Sequence, residues 1–237
     1  MTGRSMSPPV RPDLIPSHPR SVRVRAAGIF VILLTVDLLL IAGDLLRHRG
    51  LLHDVRFAVT VERGYGEWFQ YFQTAIVVAL LALAGARRRI AAAFVWSGLF
   101  AYLLIDDALA LHESIGSLVT SVLPLPSIRS MQPEQAGELL FFAVVGVLFV
   151  AALAGLHRAD PAARGFTMGL APAFAFLVFF GAGVDMVHSL VADRDLRYAV
   201  GVIEDGGEML AMSLLVALAY LAAVGGSVAG TSSRRIP

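Results

Sequence analysis

Hydrophobic residues run along this chain in six long blocks, at about residues 26–46, 68–86, 90–111, 139–157, 166–190 and 198–224. Each comes close to or exceeds the roughly 20 apolar residues that a helix needs to cross a bilayer. The pattern predicts an all-α integral membrane protein, a six-transmembrane-helix bundle. The first block is longer than the apolar region of a cleaved signal peptide and lacks an A-x-A flank, so it reads as a signal anchor. Residues 114–137, with LPLPS and MQPEQ, read as a proline-punctuated loop with room for a short interfacial helix ahead of it. The domain reading is one membrane unit over 26–224, preceded by a proline- and arginine-rich tail over 1–25 that is expected to be disordered and followed by a flexible tail over 225–237. There is no fixed-period repeat and no glycine-rich phosphate loop after a strand, which leaves solenoid and nucleotide-binding architectures without support.

Composition agrees with the pattern. Of 237 residues, 57% are hydrophobic and 16% charged, and the mean hydropathy is +0.73, outside the range of ordinary soluble domains. All 19 basic residues are arginine. With the N-terminus inside, twelve of them fall on the cytoplasmic side and seven on the other. The positive-inside rule therefore predicts cytoplasmic N- and C-termini in a cell inner membrane. The arginines form no basic face interleaved with aromatics and the net charge is +1, so no nucleic-acid partner is expected. The absence of cysteine excludes disulfides, thiolate metal sites and thiol nucleophiles. Any metal must be held by oxygen and nitrogen.

Three polar islands interrupt the apolar blocks: IDDALALHE at 105–113, GVDMVH at 183–188 and VIEDGGEMLAM at 202–212. On the six-span topology, Asp106, Asp107, His112 and Glu113 close the third span, and Asp185 and His188 close the fifth. Glu67, Glu138 and the group Glu204, Asp205 and Glu208 open the second, fourth and sixth. All fall in the outer leaflet, whereas 76–83 and 214–221, in the inner halves, are almost purely apolar. A carboxylate at mid-bilayer costs on the order of 3 kcal/mol to insert and less near the interface, so these groups require partners. The options are a metal, protons, water, or arginines such as Arg194 and Arg197. On continuous helices the pairs Asp106/Glu113, Asp185/His188 and Glu204/Glu208 share faces, while Asp107 and Asp205 point about 100° away. His112 joins Asp106 only if the helix end loosens. Asp37 and Asp44 share a face of the first span, Asp37 lying deep enough to demand a partner. Gly181, Gly183, Gly206 and Gly207 are read as points of close helix packing. His48, His53 and His157 read as solvated, and His18 as part of the tail.

Two histidines among several carboxylates, without thiols, are the ligand set of Zn, Mn or Fe sites. Asp106, Glu113, Glu138, Asp185, His188, Glu204 and Glu208 are the candidate ligands of a divalent metal. His112, Asp107 and Asp205 are the candidate catalytic groups, with His112 as a further ligand or a proton donor. Carboxylate-bridged di-metal bundles need two E-x-x-H pairs, and this chain has one approximate version, Asp185-x-x-His188. The expected activity is that of a metal-dependent membrane enzyme, a hydrolase or oxidoreductase acting on a lipid- or quinone-like substrate taken from the bilayer. A proton- or ion-coupled transporter and a non-catalytic accessory or assembly protein stay open as alternatives. The segments LIDDALALHE, GELL, DMVH and VIEDGGEMLAMSL resemble those of an uncharacterised bacterial family of small multi-pass membrane proteins. That resemblance supports the span count and implies no activity.

Overall fold

A computed structural model of the chain describes residues 18–123 and 133–224. Among these the secondary structure is helical and no strand forms. The order is α1 (Arg20–His48), a 3-10 turn (Val55–Phe57), α2 (Tyr65–Arg88), α3 (Ala91–Leu109), α4 (Leu111–Val122), α5 (Pro133–Ala159), α6 (Pro161–Val178), a π turn (Phe179–Val184), α7 (Asp185–Leu190) and α8 (Arg194–Val224). Among the described residues six stretches are long and apolar enough to cross a membrane, the expected number: α1, α2, α3, α5, α8 and the continuous run Pro161–His188 through the π turn.

The expected tails and the core of the proline-punctuated loop lie outside the described residues, apart from 18–25. There the helix starts earlier than the apolar pattern does, and Arg20, Arg23 and Arg25 wind into the first turns of α1. His18, read as part of the tail, is buried beside Arg23 and Arg88. Burial first, and then these two cations, push its imidazole below the ordinary histidine range. The stretch 114–137 is also more helical than its prolines suggest, because α4 runs to Val122 and Pro133 heads α5, where the missing proline N–H costs no helical hydrogen bond.

Local chemistry explains the ends. Arg87 and Arg88 occupy the last turn of α2, where cations meet the negative pole of the helix, and Arg89 stops it in a left-handed conformation with φ of 55°. Asp160 caps α6 by accepting from the Ala162 N–H at 2.8 Å, with Pro161 in the first turn.

The bundle is organised around α8. In their most apolar windows 56% of α8 is buried against 6% of α5, so α8 is the inner helix and α5 a peripheral one. Glycines allow this approach: a Cβ on Gly206 would lie 3.0 Å from Ile41 of α1, and one on Gly207 would collide with the Phe180 ring. Trp96 and Phe100 of α3 meet Phe149 and Phe174 in an aromatic cluster. At the end of the bundle holding Arg88, α2 and α8 pack through Val77, Leu81, Leu215, Ala219 and Ala223, all buried. The chemistry-bearing residues gather at the other end.

Candidate functional site

α3 does not continue into α4. Ala110 adopts φ 48° and ψ 45°, a left-handed conformation that costs a non-glycine residue roughly 1 kcal/mol. The turn redirects the chain so that His112 Nδ1 comes to 3.1 Å from Asp106 Oδ2. This is the loosened helix end that the spacing of His112 required. The break also removes the premise on which Asp106 and Glu113 share a face, since seven residues return to one side only on a continuous helix. The Glu113 side chain lies outside what the structure describes. Asp106 is buried and its Oδ1 has no hydrogen-bond partner, although the Tyr102 side chain stands beside it.

A second histidine pair forms across helices. The π turn widens the end of the fifth span. Gly181, within it, lies against the Glu208 carboxyl, which a Cβ there would strike at 2.5 Å. Past the turn, α7 presents Asp185 and His188 one turn apart, towards the start of α8. His188 Nδ1 is 2.7 Å from Glu204 Oε2. One ligand atom from each of Asp185, His188 and Glu204 lies within 4.8 Å of the others. Asp185 is exposed and the other two are half-buried, so the group opens outward. Gly201 lets His188 approach, because a Cβ there would sit 3.2 Å from the ring Cε1.

The remaining predicted ligands are not members of this triad. Glu208 shares a helix face with Glu204 but turns to α2, accepting from Gln70 Nε2 at 2.9 Å. It stays an electrostatic neighbour of Glu204, Asp185 and Asp107. Asp205 adjoins Glu204, Glu208 and Asp44, and the exposed Asp107 adjoins Glu67, Asp106 and His112. Glu138 of α5 lies over Gly116 of α4, where a Cβ would meet its Cγ at 2.6 Å. Glu67 sits in the first turn of α2 and accepts from the Arg63 N–H and the Tyr71 hydroxyl. Asp44, fully buried, accepts from Tyr198 at 2.7 Å and pairs with Arg47 at 3.1 Å. His48, read as solvated, stacks on Tyr198 at 3.8 Å.

Gln70 and Tyr198 were not singled out from the sequence. The signal for Gln70 was present: Gln70 and Gln73 stand three residues apart in an apolar span, one helix face of amides. Chemically, the triad offers two carboxylate oxygens and an imidazole nitrogen, which neutralise a divalent cation and leave coordination positions open. The Asp106–His112 pair offers an imidazole whose tautomer is set by a buried acid.

Residues 24–224 match the model of a domain family described as a domain of unknown function, DUF8692, and the chain belongs to that family. No curated protein and no solved structure matches it.

Proposed function

We propose that this chain is a multi-pass protein of a bacterial inner membrane that binds one divalent cation, Zn, Mn or Fe, through Asp185, His188 and Glu204, and works as a metal-dependent enzyme. The observation that carries the reading is the convergence of those three donors from two helices to within 4.8 Å. Three protein ligands with open positions are the arrangement of catalytic sites, as opposed to closed structural ones. The arginine distribution favours cytoplasmic termini, and with them a triad at the outer leaflet. A shallow, open apolar depression lined by Phe174, Val178, Phe179, Ala182 and Met186 adjoins Asp185 through Met186. It suits the chain of a lipid- or quinone-like substrate.

A cation held there supplies either an activated water for hydrolysis or, if redox-active, an electron acceptor for oxidation. The chain's own residues handle protons. With Nδ1 directed at Asp106, His112 keeps Nε2 for accepting or delivering one. Glu208 and Asp205 stand beside the triad as further carboxyl groups.

The rival readings have less support. An assembly protein with structural charges would pair its carboxylates with arginine, yet among the described residues the arginine pairs are Arg47–Asp44 and Arg56–Asp54, outside the triad. A transporter needs a polar route through the apolar half of the bundle, which Val77, Leu81 and Leu215 close. Metal analysis of the purified protein tests the proposal. Near-stoichiometric Zn, Mn or Fe, lost in Glu204→Ala, is the expected result, and a metal-free preparation at neutral pH after expression with these metals would sink it.

A further inference from the structure

Deeper in the bundle a second polar group joins α1, α2 and α8, separate from the triad. Asp37, Gln73 and Ser213 are 1%, 0% and 0% exposed. The hydrogen bonds run in one direction: Gln73 Nε2 donates to Ser213 Oγ at 2.8 Å, and the Ser213 hydroxyl donates to Asp37 Oδ2 at 2.6 Å. Two buried acceptors are left over, Asp37 Oδ1 and Gln73 Oε1, neither with a hydrogen-bond partner. Buried oxygens are seldom left so. The polar groups that act on Asp37 are the uncharged Ser213 and Gln73. The nearest acid of α8, Glu208, is bonded to Gln70, and Arg56 in the 3-10 turn is held by Asp54. An ionised Asp37 would thus have only the uncharged Ser213 and Gln73 beside it and no counter-charge.

We infer that Asp37 carries a proton on Oδ1, and that Asp37, Ser213 and Gln73 form an intramembrane proton-binding site that ties three helices together. A proton on Oδ1 turns that orphaned acceptor into a donor, and the Gln73 side chain, which acts on the Asp37 carboxyl, has an open acceptor in Oε1. A metal ion or sodium fits less well. The group offers four oxygens, and the Ser213 hydroxyl is already committed both as donor and as acceptor. A proton satisfies the orphaned oxygens without needing volume. Val77 and Leu81 follow Gln73 down α2, and Leu215 follows Ser213 on α8, all buried, so the site is a dead end and not part of a conduit.

Infrared spectroscopy of the full-length protein in lipid nanodiscs tests this, with ¹³C-carboxyl aspartate to isolate the aspartate bands. The wild type at neutral pH should show a protonated carboxylic-acid carbonyl band that moves in D₂O and is missing in Asp37→Asn. That variant should fold with an unfolding midpoint within about 3 °C of the wild type, because an amide reproduces the shape and donor of the neutral acid. Equal acid bands in both proteins, or an Asp37→Asn chain that does not fold, would overturn the inference. Ser213→Ala gives an independent reading: loss of the donor to Oδ2 should shift the band, and an unshifted band counts against the site.

Discussion

The two histidine–carboxylate pairs at the polar end use the same atom, Nδ1, and are built in opposite ways. His112 reaches Asp106 within six residues, through a strained turn at Ala110. His188 reaches Glu204 across α7 and α8, sixteen residues apart. In the first pair the acid is sealed, with Asp106 4% exposed and His112 26%. In the second the acid is less tightly covered, with Glu204 14% exposed and His188 25%, and Asp185 adds a third donor from the exposed side. A sealed acid with one histidine orients an imidazole. An open acid with a histidine and a second carboxylate can hold an ion.

The largest expected effect separates the two pairs by metal content. His188→Ala or Glu204→Ala should lower bound metal from near one per chain to background, while His112→Ala leaves it unchanged, as measured by elemental analysis. A chelator should correspondingly lower the unfolding midpoint of the wild type and not that of His188→Ala, because a ligand bound only to the folded state stabilises it. Equal loss in His112→Ala would mean that one site uses both histidines. Next comes stability: His112→Ala strands the sealed Asp106 and should cost about 3 kcal/mol in detergent unfolding, with Asp106→Asn recovering part of it in the double variant. His188→Ala, measured without metal, should cost less, since Glu204 retains access to water.

A smaller effect sharpens the contrast further. Gly201→Ala places a Cβ 3.1 Å from Thr60 Cγ2 and 3.2 Å from His188 Cε1. It should cost under about 1 kcal/mol by mild overpacking, yet weaken metal binding measurably by turning the His188 ring. The smallest effect belongs to an exposed pair with neither a histidine nor a seal. Arg56, through its side chain and its backbone N–H, holds the Asp54 carboxyl down at about 2, below the usual value of about 3.9. Its stabilising contribution is therefore present above pH 4 and is lost as pH falls towards 2. Asp54→Asn should flatten only that acid limb of the stability curve and leave metal content untouched.

Much of this was legible one residue at a time. Asp185 and His188, three apart, do face together, and the glycines at 181, 206 and 207 are points of close approach. The pairing of Glu204 with Glu208 was not legible in the same way. Four residues place both on one helix face, but that face meets α7 at Glu204 and α2 at Glu208, and each acid takes the partner of its own neighbour. Asp106 and Glu113 fail for a different reason: helical periodicity holds only while the helix lasts, and no glycine or proline marks the break at Ala110. Asp37 demanded a partner by its depth, but nothing in its own helix named Ser213, 176 positions away.

By itself the sequence determined six apolar helices, the gathering of acids and histidines at one end of them, and the exclusion of thiol chemistry, because these follow from residue type, span length and the alternation of helix direction. The tertiary structure alone decided which carboxylate meets which histidine. Helix rotation, the π turn and the turn at Ala110 set those contacts, and a shift of one residue swings a side chain by about 100°.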